Sequence, residues 1–113
     1  MPSPLAHASL ALLAPDGLGH QRALTTSNRV LLTGLVASVL VLPDVDFAFM
    51  VLGLSDRFGG HGTWSHSLVW ALPVGLVFAL LARLLFEPAA RPGIQKLWAV
   101  GTAAFASHVF MDW

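Results

Sequence analysis

Eleven residues of this 113-residue chain are histidine, aspartate or glutamate, types that hold metal ions or move protons, and seven of them fall in short apolar or glycine-containing motifs. His7 stands in the first apolar stretch, and Asp44 and Asp46 belong to "LPDVD". His61 and His66 frame "HGTWSHS", while His108 and Asp112 close "SHVFMD". The chain has no cysteine, so a metal site here is built from imidazole and carboxylate alone. Such donors suit zinc, manganese, iron or magnesium rather than thiolate-bound copper.

Each motif alone has a plainer reading. Pro-Asp opens turns, and two aspartates beyond an apolar helix can simply solvate its end. In extended backbone, however, the pair Asp44 and Asp46 can aim at one cation or straddle two. A glycine-rich loop whose Thr63 or Ser65 caps the next helix, starting near Ser67, explains the central motif as well as two converging imidazoles do. His108 and Asp112, four apart, share a helix face and can pair locally. His7 alone fits a core histidine, His20 has no evident role, and Asp16, Asp56 and Glu87 read as loop charges.

The elements that must position these groups are apolar. Hydrophobic residues make up 56% of the chain and charged residues 11%, against about 25% charged in an ordinary soluble domain. A soluble fold of this composition could not cover its surface, so the chain belongs in a membrane. Net charge is zero and no basic cluster is present, which excludes a nucleic-acid surface. The N-terminus lacks a basic n-region and a clear cleavage site, so it does not read as a cleaved signal peptide.

Four apolar segments stand out, at residues 5–14, 30–43 (with a further patch at 47–54), 67–86 and 97–111. Only the third approaches the 17–25 residues of a full span; the others are short or interrupted. Breaks fall at residues 15–17, 25–28 ("TTSN"), 59–60 and 87–93. Strand alternation and internal repeats are absent. The expected fold is all-α: one membrane-embedded domain over residues 1–113, a bundle of about four short or interrupted helices.

If the segments alternate in direction, Arg22, Arg29, Arg83, Arg91 and Lys96 gather at one end and Arg57 at the other. The positive-inside rule then places the five-charge end in the cytoplasm. His7, Asp44, Asp46, His61, His66, His108 and Asp112 all fall at the opposite, non-cytoplasmic end. Trp64 and Trp113 at that end, with Trp98 at the basic end, fit interfacial belts. Buried carboxylates in a membrane are costly unless paired or bound to a cation, so the convergence points to function. Seven donors exceed the three that a catalytic zinc commonly uses. They could serve two ions roughly 3.5–4 Å apart, with an aspartate bridging, an arrangement that activates water for hydrolysis.

In order and spacing, His7, "LPDVD" at 42–46, "HGTWSHS" at 61–67 and "SHVFMD" at 107–112 resemble the YdjM-like membrane-bound metal-dependent hydrolases. That resemblance implies a bacterial inner-membrane protein with metal-dependent hydrolase activity. Where the family pattern has Arg-Gly after the first central histidine, this chain has Gly62 and Thr63, and Arg57 is the nearest basic residue. The pattern also continues beyond the last ligand, so a chain ending at Trp113 is expected to be a shortened form.

The expected activity is hydrolysis of a phosphoester or other ester at the lipid interface, in contact with membrane lipid and without nucleic acid. One or two divalent ions would be held by the seven residues, zinc first, with manganese, iron or magnesium as alternatives. His66 and Asp46 are the expected catalytic pair, and Thr63 or Ser65 would orient His66 from behind. The competing reading is a non-enzymatic protein that binds or conducts metal ions or protons. Such a path needs polar groups along the depth of the bundle, where only Thr33, Ser38 and Thr102 are available. A serine hydrolase using Ser65 or Ser67 with His66 lacks the Gly-x-Ser-x-Gly elbow.

Overall fold

The computed structural model describes residues 25–54, 67–88 and 91–112, and only the backbone of Asp46 and Phe47. His7, Arg22, Arg57, His61, Thr63, Trp64, Ser65, His66 and Trp113 lie outside the described residues. Four helices and no strand occupy the described part, so the fold is all-α as expected. Helix α1 (Thr26–Val41) runs through a 3-10 turn (Leu42–Asp44) into the short α2 (Val45–Val51). A second 3-10 turn (Leu68–Trp70) leads into α3 (Ala71–Leu85), and α4 (Ile94–Met111) follows.

The start of α1 corrects the reading of "TTSN" as a break. Thr25 is the N-cap, and its hydroxyl accepts a hydrogen bond from the Asn28 amide at 3.2 Å. The polar residues are therefore the cap and first turn of the helix. At the far end Pro43 does not stop the chain but tightens it into the 3-10 turn, closed by Val45 N–H donating to the Leu42 carbonyl. Residues Thr26–Asp44 thus form a 19-residue apolar unit, alongside Leu68–Leu85 with 18. Both are long enough to cross a bilayer, so among the described residues two segments rather than one reach spanning length. The expectation failed because hydropathy alone discounts the polar cap residues that lengthen a helix.

Helix α2 ends in a Schellman arrangement. Gly53 N–H donates to Met50 O at 3.0 Å and Leu54 N–H to Phe49 O at 2.8 Å. Gly53 sits at φ +71°, a conformation that other residues adopt at a cost. The 3-10 turn that leads into α3 is capped by Ser67, whose hydroxyl accepts from Val69 N–H at 3.4 Å. Ser67 itself therefore occupies the capping position expected of Thr63 or Ser65. Pro73 lies in the first turn of α3, where a missing N–H breaks no helical bond.

Helices α3 and α4 pack closely. A Cβ on Gly75 would collide with the Thr102 hydroxyl and lie 2.7 Å from its backbone nitrogen. A Cβ on Gly101 would lie 2.6 Å from Phe78 Cδ1. Because 75 meets 102 while 78 meets 101, the two helices run antiparallel. Small residues at such a contact let helix backbones approach within a membrane. Around it the core gathers Leu32, Val36 and Leu40 of α1, Phe78 and Ala82 of α3, and Leu97, Phe105 and Val109 of α4. Trp98, expected in the belt at the basic end, turns its indole N–H to the Leu72 carbonyl at 3.0 Å, so its polar edge joins two helices.

Asn28 and Arg91 fasten the basic end. Asn28 is fully buried, and its Oδ1 accepts from Glu87 N–H at 3.1 Å. Arg91 Nη2 donates to the Phe86 carbonyl at 3.3 Å. The two side chains grip the N–H and the C=O of the single peptide group that follows α3. The start of α1 thereby sits beside the end of α3, which makes that pair antiparallel as well.

These contacts predict opposite outcomes at two glycines. Gly75→Val should lower the thermal unfolding midpoint in detergent, since overpacking a filled contact costs about 1–3 kcal/mol. Gly34→Ala should leave the midpoint unchanged or raise it slightly, because a Cβ there meets nothing within 4 Å.

Candidate metal centre

Asp44 ends the 3-10 turn that Pro43 initiates and stands at the N-cap position of α2. Its carboxylate makes no capping bond to that helix. The turn packs against α4 instead, which brings Asp44 to the last turn of α4. His108 lies in that turn, and Asp112 is the C-cap residue, its amide donating to the His108 carbonyl at 3.2 Å. The i,i+4 spacing gives His108 and Asp112 a common face.

The three side chains meet through one atom. His108 Nε2 lies 3.1 Å from Asp112 Oδ2 and 3.4 Å from Asp44 Oδ1. One ligand atom from each residue lies within 4.8 Å of the other two. The His108 side chain is fully buried, while those of Asp44 and Asp112 are 10% and 5% exposed. The local pairing of His108 with Asp112 is therefore present, but it is not the whole arrangement. Asp44 arrives from a different helix, which a purely local pair does not require.

Charge and distance both suit a cation. With a neutral imidazole the cluster carries two negative charges away from water, which a divalent ion would balance. Oxygen and nitrogen ligands about 2.0–2.2 Å from one ion lie roughly 3–3.5 Å from each other. The separations of 3.1 and 3.4 Å fall in that range, which a direct imidazole–carboxylate pair shares. Two carboxylates and one imidazole also form a harder donor set than a three-histidine site.

Among the seven expected ligands, Asp44, His108 and Asp112 are brought together, while His7, His61 and His66 lie outside the described residues. The extended backbone expected between Asp44 and Asp46 is instead helical, so the stated reason for pairing those two carboxylates does not hold. Ser67, considered as a nucleophile, uses its hydroxyl to cap the turn before α3. Leu-Pro-Asp signalled a turn, but not that Pro43 is buried within a 3-10 turn that continues the helical path and delivers Asp44 to α4.

Fold and cluster together define a helical membrane protein with a buried His/Asp/Asp group where the apolar helices end. The whole chain, residues 1–113, matches the family model described as YdjM inner membrane protein. The chain belongs to that family and is an inner-membrane protein. It is 30% identical over 113 residues to "Inner membrane protein YbcI" of Escherichia coli (strain K12). That alignment covers 99% of this chain but 60% of the relative's length. No solved structure matches the chain.

The cluster predicts non-additive stability. His108→Ala leaves two carboxylates facing each other, and loss of one partner from a buried ionic group costs about 3–5 kcal/mol. Adding Asp112→Asn should recover part of that loss rather than add to it. Chemical denaturation of both variants and the double variant in detergent, without added metal, measures the coupling.

Proposed function

We propose that this protein is a metal-dependent hydrolase of the inner membrane that cleaves a phosphoester or other ester. The observation that carries the reading is His108 Nε2 set between Asp112 Oδ2 and Asp44 Oδ1, at 3.1 and 3.4 Å, with all three side chains nearly buried. Asp44, His108 and Asp112 would hold the ion, with His7 and His61 as further donors expected from the sequence. A divalent ion bound there supplies Lewis acidity, lowering the pKa of water and polarising the ester.

The chain's own residues then orient reactants and carry protons. Hydrolysis adds water across the ester bond, the oxygen going to the phosphoryl or acyl centre and a proton to the departing alcohol. Asp46 and His66 are the proposed proton carriers, chosen because neither belongs to the three-residue group and both lie in neighbouring motifs. With Gly62 and Thr63 in place of Arg-Gly, Arg57 is the nearest basic residue for a phosphoryl group. By the positive-inside rule, Arg29, Arg83, Arg91 and Lys96 mark the cytoplasmic end, and the three-residue group would face the other side. Of the deep polar groups that the conducting alternative would use, the Ser38 hydroxyl is bonded to the Gly34 carbonyl at 2.9 Å, whereas the buried Thr102 hydroxyl has no hydrogen-bond partner among the described residues.

The test is turnover with metal depletion and add-back in detergent or vesicles. Phosphodiester and carboxylic ester probes should be cleaved only with a divalent ion present. Asp44→Asn and His108→Gln should each lower the rate by at least about 100-fold, the scale of losing a ligand or its support. Ion flux across vesicles without turnover would favour the conducting reading instead.

A further inference from the structure

The surroundings of the metal cluster bear on how a substrate reaches it, an inference that rests on the hydrolase reading. One apolar span, Thr26–Asp44, ends on a ligand, and the other, Leu68–Leu85, begins at the same end of the bundle. The three side chains are at most 10% exposed, yet several apolar residues within two positions of them are open. Leu42 is 45% exposed, Val45 38%, Phe110 61% and Met111 39%. Beyond the span, where a chain leaving the bilayer would turn polar, α2 exposes Met50 and Val51, followed by Leu52. Water contact along such a surface is unfavourable, so it belongs at the boundary of hydrocarbon and headgroups.

The cluster thus has exposed apolar surface both before and after it along the chain. We propose that it is reached laterally from the bilayer, and that its substrate is an ester- or phosphoester-linked lipid. The acyl chain lies along Leu42, Val45, Phe110 and Met111, while the ester group reaches Asp44, His108 and Asp112. A longer chain concentrates the substrate in the bilayer from which it arrives, by roughly fourfold for each methylene transferred out of water.

The natural absence of cysteine permits a direct test on the full chain. Val45→Cys, Phe110→Cys and Met111→Cys proteins are spin-labelled singly and reconstituted in phosphatidylglycerol–phosphatidylethanolamine vesicles. Relaxation by oxygen, which concentrates in lipid, is compared with relaxation by a water-soluble nickel chelate. Oxygen should dominate at all three sites; dominance of the nickel chelate at them overturns lateral access, whatever the turnover measurements give. In the metal-loaded wild type, a long-chain ester should be cleaved faster than its short-chain counterpart. Equal cleavage of the two overturns the lipid assignment, and failure to cleave either overturns the hydrolase reading on which it rests while leaving the accessibility result standing.

Discussion

The described structure turns on one buried imidazole. His108 Nε2 is within ion-pair distance of two carboxylates, one on its own helix and one at the junction of α1 and α2. Away from water such a group is costly unless its charges are balanced, so the surrounding elements must hold it with little freedom. Three features do so. The 3-10 turn at Leu42–Asp44 aims Asp44 at α4, the helical i,i+4 relation sets Asp112 beside His108, and the α3–α4 contact at Gly75 and Gly101 fixes α4.

The two ends of the bundle use polar groups differently. At the basic end, Asn28 and Arg91 satisfy one peptide group after α3, a structural use that closes a helix terminus. At the acidic end, the carboxylate of Asp44 makes no capping bond to α2, and the last turn of α4 presents a histidine to it. Ionisable side chains that are nearly buried and converge from two elements are a common mark of a functional site. This contrast supports the metal reading more strongly than the residue types alone.

Much of this was legible in the residues. Composition and the lack of alternation point to an all-helical membrane protein, and alternating direction alone places Asp44, His108 and Asp112 at one end. Helix ends were read less well, for physical reasons. Thr25 and Asn28 are polar, so a hydropathy reading cut α1 short although those side chains build its first turn. Pro43 was taken as a turn opener, yet within a 3-10 turn it continues the helical path and makes the backbone at Asp44 and Asp46 helical rather than extended. The indole of Trp98 was assigned from its position in the sequence, which carries no information about the Leu72 carbonyl that it finds. Packing partners of that kind are set by tertiary structure and leave no local trace.

The account centres on a divalent ion held by Asp44, His108 and Asp112. Its most direct measurement is pulsed electron paramagnetic resonance of the purified protein loaded with Mn²⁺, comparing wild type with His108→Gln. The account predicts imidazole nitrogen coupling to the ion in wild type, with one coordinated nitrogen fewer in the variant. Bound Mn²⁺ whose nitrogen coupling is the same in both proteins, or absent from both, would contradict it.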